Sequence, residues 1–302
     1  MAARGGRGTG RLIPPANARP EASFMRISFV TDSTADLPAA LARQYGIEVV
    51  PALVNIGGKS YADGIDISRE EFYRLLPTLK SPPTTSAPSV GSFQKVYEQL
   101  FARGAEIVLS IHAASRLSGI FNAARVAAQE FGRRVRVLDS EQLSLGLGFQ
   151  VLAGAETACQ EGILDEVLAA IERVRQRVRV IALLDSLEYV RRSGRVSWAK
   201  AALGTLLRIQ PLVELRFGQV QRLGQARTRA QGLAQLKEAL LSWGPLERLA
   251  VLHTNAETAA RQLLEEVRTR ASAPPLLVNV TTAIGTHVGP NALGLAAVPL
   301  SW

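Results

Sequence analysis

Short apolar runs alternate with helix-like segments along most of this chain, and that alternation restricts its folds more than any other feature. Ile27–Thr31, Ile107–Ile111 and Val135–Leu138 read as buried strands, and Ile47–Val54 reads as one more. Between them, Pro38–Tyr45 stops at Gly46, and Ser68 with Glu71 forms a capping box for a helix ending near Pro77. Ser89 caps a helix in which Phe93, Val96, Tyr97, Leu100 and Phe101 recur at helical spacing until Gly104. A further helix spans about Gly119 to Phe131. Strand–helix alternation implies an α/β fold with a largely parallel sheet covered on both faces.

The pattern changes after an Arg-rich helix that ends near Arg177. Val178–Leu184 is strand-like, and Leu212–Phe217 and Val220–Leu223 flank a tight turn at Gly218-Gln219. Leu249–Leu252, a helix around Glu257–Arg270 and Leu276–Val280 then resume the alternation. Two α/β lobes follow, 25–177 with the largely parallel sheet and 178–302 with a mixed sheet and a hairpin. Residues 1–24, rich in Gly, Pro, Ala and Arg, are read as a disordered extension or a mis-assigned start, with Met25 directly before the first strand.

With 302 residues and 47% apolar composition the chain can bury a sizeable core. The longest apolar run, Leu143–Ala155, is interrupted by Gly146, Gly148 and Gln150, and it is too short for stable membrane insertion. Cys159 is the only cysteine, which excludes a disulfide framework and points to a cytoplasmic protein. The net charge of +9 invites a nucleic-acid partner. However, +3 of it lies in the first 24 residues, and the rest is scattered arginine without zinc-finger, basic-helix or aromatic-studded strand patterns, so nucleic acid is not expected.

Chemistry concentrates in the turns. Thr31-Asp32-Ser33-Thr34-Ala35-Asp36 leaves the first strand where an open parallel sheet places its ligand crevice, although Ser33, Thr34 or Asp36 equally suits a cap for the helix at Pro38. Thr84, Thr85, Ser86 and Ser89 stand among Pro82, Pro83 and Pro88, a stiff loop that serves as a strap or as a set of fixed hydroxyls. Ser115-Arg116-Leu117-Ser118-Gly119 runs from a strand into a helix, so Ser118 caps it or joins free N–H groups in an anion cradle. Arg191, Arg192 and Arg195 mark a basic turn suited to docking a protein or to solvation alone. Arg227-Thr228-Arg229 offers guanidinium groups to a phosphate. His287 lies in Gly285-Thr286-His287-Val288-Gly289-Pro290, read as a flexible loop. His112, His253 and His287 lack metal-ligand spacing, and there is no phosphate-binding Gly-rich loop or nucleophile elbow, so no metal or nucleotide cofactor is expected.

Taken in order, Thr31-Asp32-Ser33, Thr85-Ser86-Ala87-Pro88-Ser89, Leu117-Ser118-Gly119, Val137-Leu138-Asp139-Ser140, Gly194-Arg195-Val196-Ser197, Val220 to Thr228 and His287-Val288-Gly289-Pro290 resemble the DegV family over about residues 26–300. The resemblance implies a carrier that is not itself an enzyme. It would bind a long-chain fatty acid between its two lobes and present the carboxylate to a separate ATP-binding kinase subunit, which makes an acyl phosphate for phospholipid synthesis. On this resemblance the ligand-binding residues are Thr85, Ser118, His287, Ser86, Gly119, Arg227 and Ser33. Thr85 and Ser118 would hydrogen-bond the carboxylate, His287 would sit beside it, and Arg227 would await the phosphorylated head group. Arg191, Arg192 and Arg195 would dock the partner. Two departures stand out, Ser118-Gly119-Ile120-Phe121 in place of Ser-Gly-Thr-Tyr and Gly289-Pro290-Asn291 in place of Gly-Pro-Gly. Burying roughly fifteen methylenes at about 0.8 kcal/mol each yields on the order of 12 kcal/mol before ordering and association costs. The alternative is a phosphotransfer enzyme acting on a small hydroxy compound, with His287 as its reactive group.

Overall fold

The computed structural model describes residues 25–160, 162–201 and 209–301, so the expectation for residues 1–24 lies outside the described residues. Strand β1 (Ile27–Asp32) leads through helix α1 (Ala39–Gln44) to β2 (Ile47–Val50), then to β3 (Leu53–Ile56) and β4 (Lys59–Ala62). Helix α2 (Arg69–Leu75), β5 (Thr84–Ser86), α3 (Val90–Ala102), β6 (Ile107–His112), α4 (Ile120–Ala128) and β7 (Val135–Asp139) complete the first group of strands. Two long helices follow, α5 (Leu145–Gln160) and α6 (Leu164–Arg177). The remainder is β8 (Arg179–Leu183), α7 (Glu188–Ser193), α8 (Ser197–Ala201), β9 (Gln210–Arg216), β10 (Gln219–Ala226), α9 (Arg229–Leu241), β11 (Leu246–His253), α10 (Glu257–Val267), β12 (Leu276–Asn279), α11 (Thr282–Val288) and β13 (Leu293–Pro299).

The fold is α/β. Strands β2-β1-β6-β7 form a parallel sheet, and β10-β9-β8-β13-β11-β12 form a mixed sheet in which only β11 and β12 run parallel. The division of strands between the two large sheets falls after β7, and the expected lobe boundary at 177/178 lies just before β8. Helix α5 packs against β1 and β6 of one sheet and β8 and β13 of the other. Its side chains are therefore buried continuously from Leu145 to Ala155, which accounts for an apolar run with no polar face.

The run Ile47–Val54 is not a single strand. Pro51 has no N–H to give a ladder, and the chain leaves the parallel sheet there. Its second half becomes β3, the centre of a small antiparallel sheet ordered β4-β3-β5. Consequently Thr84–Ser86, read as a proline-stiffened loop, is a strand paired with β3, with Thr85 opposite Val54. The hairpin turn also shifts by one residue. Phe217 and Gly218 carry the positive φ angles of 49° and 71° that a two-residue hairpin with right-handed twist requires. Its tip rests on the first lobe, where the Gly218 amide donates to the Glu141 carbonyl at 2.9 Å.

The segment around His287 is a helix, α11, and not a flexible loop. Two carboxylates of the first lobe satisfy its free N-terminal donors. Asp36 accepts from the Thr281 amide at 2.8 Å, and Asp63 accepts from the amide and the hydroxyl of Thr282 at 3.1 and 2.6 Å. Asp36, expected to cap α1, is thus spent between the lobes, and the cap position of α1 is Pro38, which offers no side-chain acceptor. The flanking glycines answer packing. A Cβ on Gly285 would sit 2.3 Å from the Tyr73 hydroxyl, and Gly289, at φ 79°, would clash equally with Tyr189.

Candidate ligand site

A cavity of about 290 Å³ lies between the lobes. Its floor is a row of residues in cross-strand register, Val213 opposite Ala182, Ala182 opposite Gly294 and Gly294 opposite Leu252. The two small residues at the centre of that row leave a trough. Leu117, Leu143, Ile284 and Val288 enclose it from the other elements, so its walls are mainly aliphatic, with Thr34, Ser144, His253 and Thr254 as polar exceptions. Such a volume suits a flexible apolar chain better than a sugar or a nucleobase.

One group of polar lining residues was named from sequence. Thr85, Ser86, Ser118, Gly119 and His287 all line this cavity. The pairing of β5 with β3 holds Thr85 and Ser86, and the turn from β6 into α4 holds Ser118 and Gly119. Ser118 Oγ accepts the Ile120 amide at 3.3 Å, which leaves its hydroxyl hydrogen free to donate. A Cβ on Gly119 would touch only Ala87, at 3.8 Å, so the glycine leaves open space rather than filling a tight contact. Ile120 is buried and lines the cavity beside it.

Across the lobe junction, His287 Nε2 lies 2.8 Å from Thr85 Oγ1. Arg195, read as a docking residue on an exposed turn, instead reaches inward while keeping part of its surface in solvent. Its Nη2 donates to Thr85 Oγ1 at 3.3 Å, and its Nη1 lies 3.4 Å from His287 Nδ1. Burial first, and the Arg195 charge second, push the His287 imidazole down to about 3. Burial also lowers the pKa of Arg195. Thr85, Ser193, Arg195 and His287 belong equally to a second cleft of about 560 Å³ on the outer side, lined further by Lys80, Pro82, Pro83, Tyr189 and Arg192. Among the described residues no Asp or Glu lines either cavity. The junction is therefore a set of donors and cations without an internal counter-charge, arranged for an anion at the end of an apolar chain.

Three expected residues lie elsewhere. Ser33 Oγ accepts the Ala52 amide at 3.0 Å and lines neither cavity, whereas its neighbour Thr34 faces the cavity. Arg227 is exposed at the end of β10, with its amide bound to Gln231 Oε1, and lines neither cavity. β10 is the outermost strand of the mixed sheet, which carries Arg227 to the rim instead of the head-group end. Arg191 is exposed and lines neither cavity, while Arg192 faces the outer cleft and pairs with Glu188. Lys80 and Tyr189 in the outer cleft were not singled out from sequence, since nothing in their local pattern distinguishes them from surface residues.

The DegV family model, described as "Uncharacterised protein, DegV family", matches residues 26–300. The chain belongs to the DegV family. It is 36% identical over 273 residues to a DegV domain-containing protein of Streptomyces coelicolor, a match covering 89% of this chain and 97% of that one. Among solved structures, a Thermus thermophilus DegV family protein described by its fatty acid binding superposes with a TM-score of 0.85 at 36% identity, covering 91% of this chain and 100% of that chain. Bacillus subtilis DegV, described as a fatty acid binding protein, gives 0.81 at 30% identity, covering 91% and 99%. Where the sequence departs from the Gly-Pro-Gly pattern, Asn291 takes the left-handed conformation a glycine would take, at φ 61°, and its amide donates to the Thr254 carbonyl at 2.6 Å. Asparagine tolerates that conformation, so the turn of this DegV protein forms with a side chain in place. Among its described residues no helix is long and apolar enough to cross a membrane.

Proposed function

We propose that this DegV protein is a non-enzymatic carrier of a long-chain fatty acid. The acyl chain fills the aliphatic cavity, and the carboxylate rests among Thr85, Ser118, His287 and Arg195. One observation carries this reading: an apolar cavity ends at a cluster of donors with no acidic residue beside it, in a fold shared with DegV proteins described as fatty acid binders. A buried carboxylate needs donors in proportion to the solvation it gives up, and this cluster supplies hydroxyls and a guanidinium.

The outer cleft supports a second stage. A carboxylate held at the junction is reachable from that side, and Lys80, Arg192 and Arg195 would stabilise phosphoryl oxygens there. In this reading a separate ATP-binding kinase subunit docks over the cleft. The carboxylate oxygen attacks the γ-phosphorus of ATP, the bond to ADP breaks, and an acyl phosphate remains on the carrier. In this reading Lys80, Arg192 and Arg195, which line the cleft, meet the phosphate, whereas Arg227 lines neither cavity. The basic surface serves the kinase and not nucleic acid, and no cofactor beyond the bound lipid is invoked.

Organic extraction of the purified protein followed by mass spectrometry is expected to yield close to one fatty acid per chain. Delipidated protein should rebind a palmitate-like acid and, with a kinase subunit and ATP, support acyl phosphate formation that it does not support alone. Recovery of no lipid, together with no affinity for fatty acids, would sink the proposal.

A further inference from the structure

The hydrogen-bond arithmetic around Thr85 leads to a role for Arg195 beyond its charge. Its guanidinium is anchored twice by carbonyl oxygens, with Nε donating to Leu117 at 2.8 Å and Nη1 to Ser193 at 3.2 Å. The remaining fork points at His287 Nδ1 and Thr85 Oγ1. Arginine only donates. The Nδ1 atom it faces must therefore accept and carry no hydrogen, and the single proton of the neutral imidazole resides on Nε2. That Nε2–H donates to Thr85 Oγ1 at 2.8 Å, and Arg195 Nη2 donates to the same oxygen. With both acceptor positions of its oxygen occupied, Thr85 has one option left, to donate its own hydrogen away from this pair.

We infer that Arg195 is a positioning residue: by fixing the Nε2–H tautomer of His287 it turns the Thr85 hydroxyl into an obligate donor aimed at an acceptor head group. Naming that acceptor a carboxylate rests on the fatty-acid reading; the tautomer assignment does not. The charged and titratable groups around His287 are Arg195 and Arg192 from the turn and helix beside it, Lys80 from the loop before β5, Tyr189 of α7 and His253 at the end of β11, with Tyr73 of α2 packed on Gly285. The acids nearest in the fold, Asp36 and Asp63, are engaged by Thr281 and Thr282 at the far end of α11 and do not face Nδ1. Burial and Arg195 keep the ring neutral through physiological pH, so the tautomer is fixed across that whole range.

The test uses the full-length, delipidated protein with no ligand present, followed by imidazole ¹⁵N NMR. The wild type should show Nε2–H at His287 with no titration above pH 5. Arg195→Met should lose the single tautomer, shift the titration of His287 upward, and bind palmitate roughly tenfold more weakly. Thr85→Val should keep the Nε2–H form, because Arg195 and not Thr85 sets it. An Nδ1–H wild type, an unchanged tautomer in Arg195→Met, or a switched tautomer in Thr85→Val overturns the inference. Should the wild type bind no fatty acid while the NMR pattern holds, the carrier reading fails and the tautomer assignment stands.

Discussion

Two histidines of this protein sit beside hydroxyl groups, and only one of them makes a site. His112 ends β6, next to Asp32 at the end of β1, with Nδ1 3.0 Å from Asp32 Oδ2. Its Nε2 meets Ser110 Oγ at 2.6 Å, which meets the Tyr97 hydroxyl at 2.8 Å. Asp32 also accepts the amides of Thr34 and Ala113. On paper this is the carboxylate–histidine–hydroxyl order of a nucleophilic enzyme. Every member is buried, however, the His112 ring packs edge-on against Phe93, and each polar atom already has its partner. At His287 the inventory is reversed. There is a hydroxyl and a guanidinium but no carboxylate, and cavities lie on both sides. The lesson concerns unmet demand. The satisfied cluster holds the first lobe together, and the open one has donors that an anion could use.

The largest effect should come from breaking the closed cluster. Asp32→Ala strands four buried donors, the His112 ring, the amides of Thr34 and Ala113 and the Thr34 hydroxyl, at about 1–3 kcal/mol each where nothing replaces the acceptor. A loss of about 4 kcal/mol is expected in urea unfolding, with fatty-acid affinity of the remaining folded protein close to wild type. His287→Ala should do the opposite, weakening binding while moving the urea midpoint little. Equal stability losses in the two variants would remove the distinction drawn here.

Asp36 stands between the two cases, being buried like Asp32 but without a histidine. Desolvation raises its pKa from 3.8 to about 6, against the opposing pull of Arg69, Ser144 and the Thr281 amide. A raised folded pKa means that the proton binds the native state more tightly. The corresponding stability is fully present below pH 3.8 and is lost as pH rises through about 6, to an extent of about 3 kcal/mol. His287 works in the other direction, since its depressed pKa costs stability as pH falls below 6.5. The clean measurement is therefore a difference. Wild type minus Asp36→Asn, followed by urea midpoint from pH 4 to pH 8, should decline as pH rises, the His287 contribution cancelling. Parallel curves would show that this carboxyl titrates normally.

Much of this molecule was legible in its sequence because local rules and tertiary packing agree there. The helices after Ser68 and Ser89 begin as their caps predict, and the parallel strands follow from apolar runs of the right length. Thr85, Ser118 and His287 were found together because their order along the chain resembles a family; local chemistry alone left the Thr85 loop divided between strap and site. What escaped was set by contacts distant in sequence. The helix bearing His287 looks like a Gly-rich loop until Asp36 and Asp63, more than 200 residues away, supply its missing acceptors. Arg195 looks like a solvated surface residue until the carbonyls of Leu117 and Ser193 aim its fork inward. Arg227 lies apart from both cavities for the converse reason, since a guanidinium near a motif says nothing about which sheet edge carries it.

The smallest and sharpest test of the comparison lies at the open cluster itself. Thr85→Val keeps the side-chain shape and the aliphatic wall, so it removes one donor to the ligand and leaves the His287 Nε2–H without its acceptor. Ser118→Ala removes one donor, and the Ile120 amide that Ser118 accepts can turn to water or to the ligand. A single hydrogen bond to a charged group contributes about 1.5–3 kcal/mol. Calorimetric titration of delipidated protein should therefore show palmitate binding weakened by roughly tenfold in Ser118→Ala and by more in Thr85→Val. The thermal midpoint of Ser118→Ala should stay close to wild type, in contrast to Asp32→Ala, while Thr85→Val should lose only what one stranded His287 donor costs, about 1–3 kcal/mol. If Thr85→Val bound as tightly as wild type, its oxygen would be only a partner for His287, and the open cluster would differ from the closed one in exposure alone.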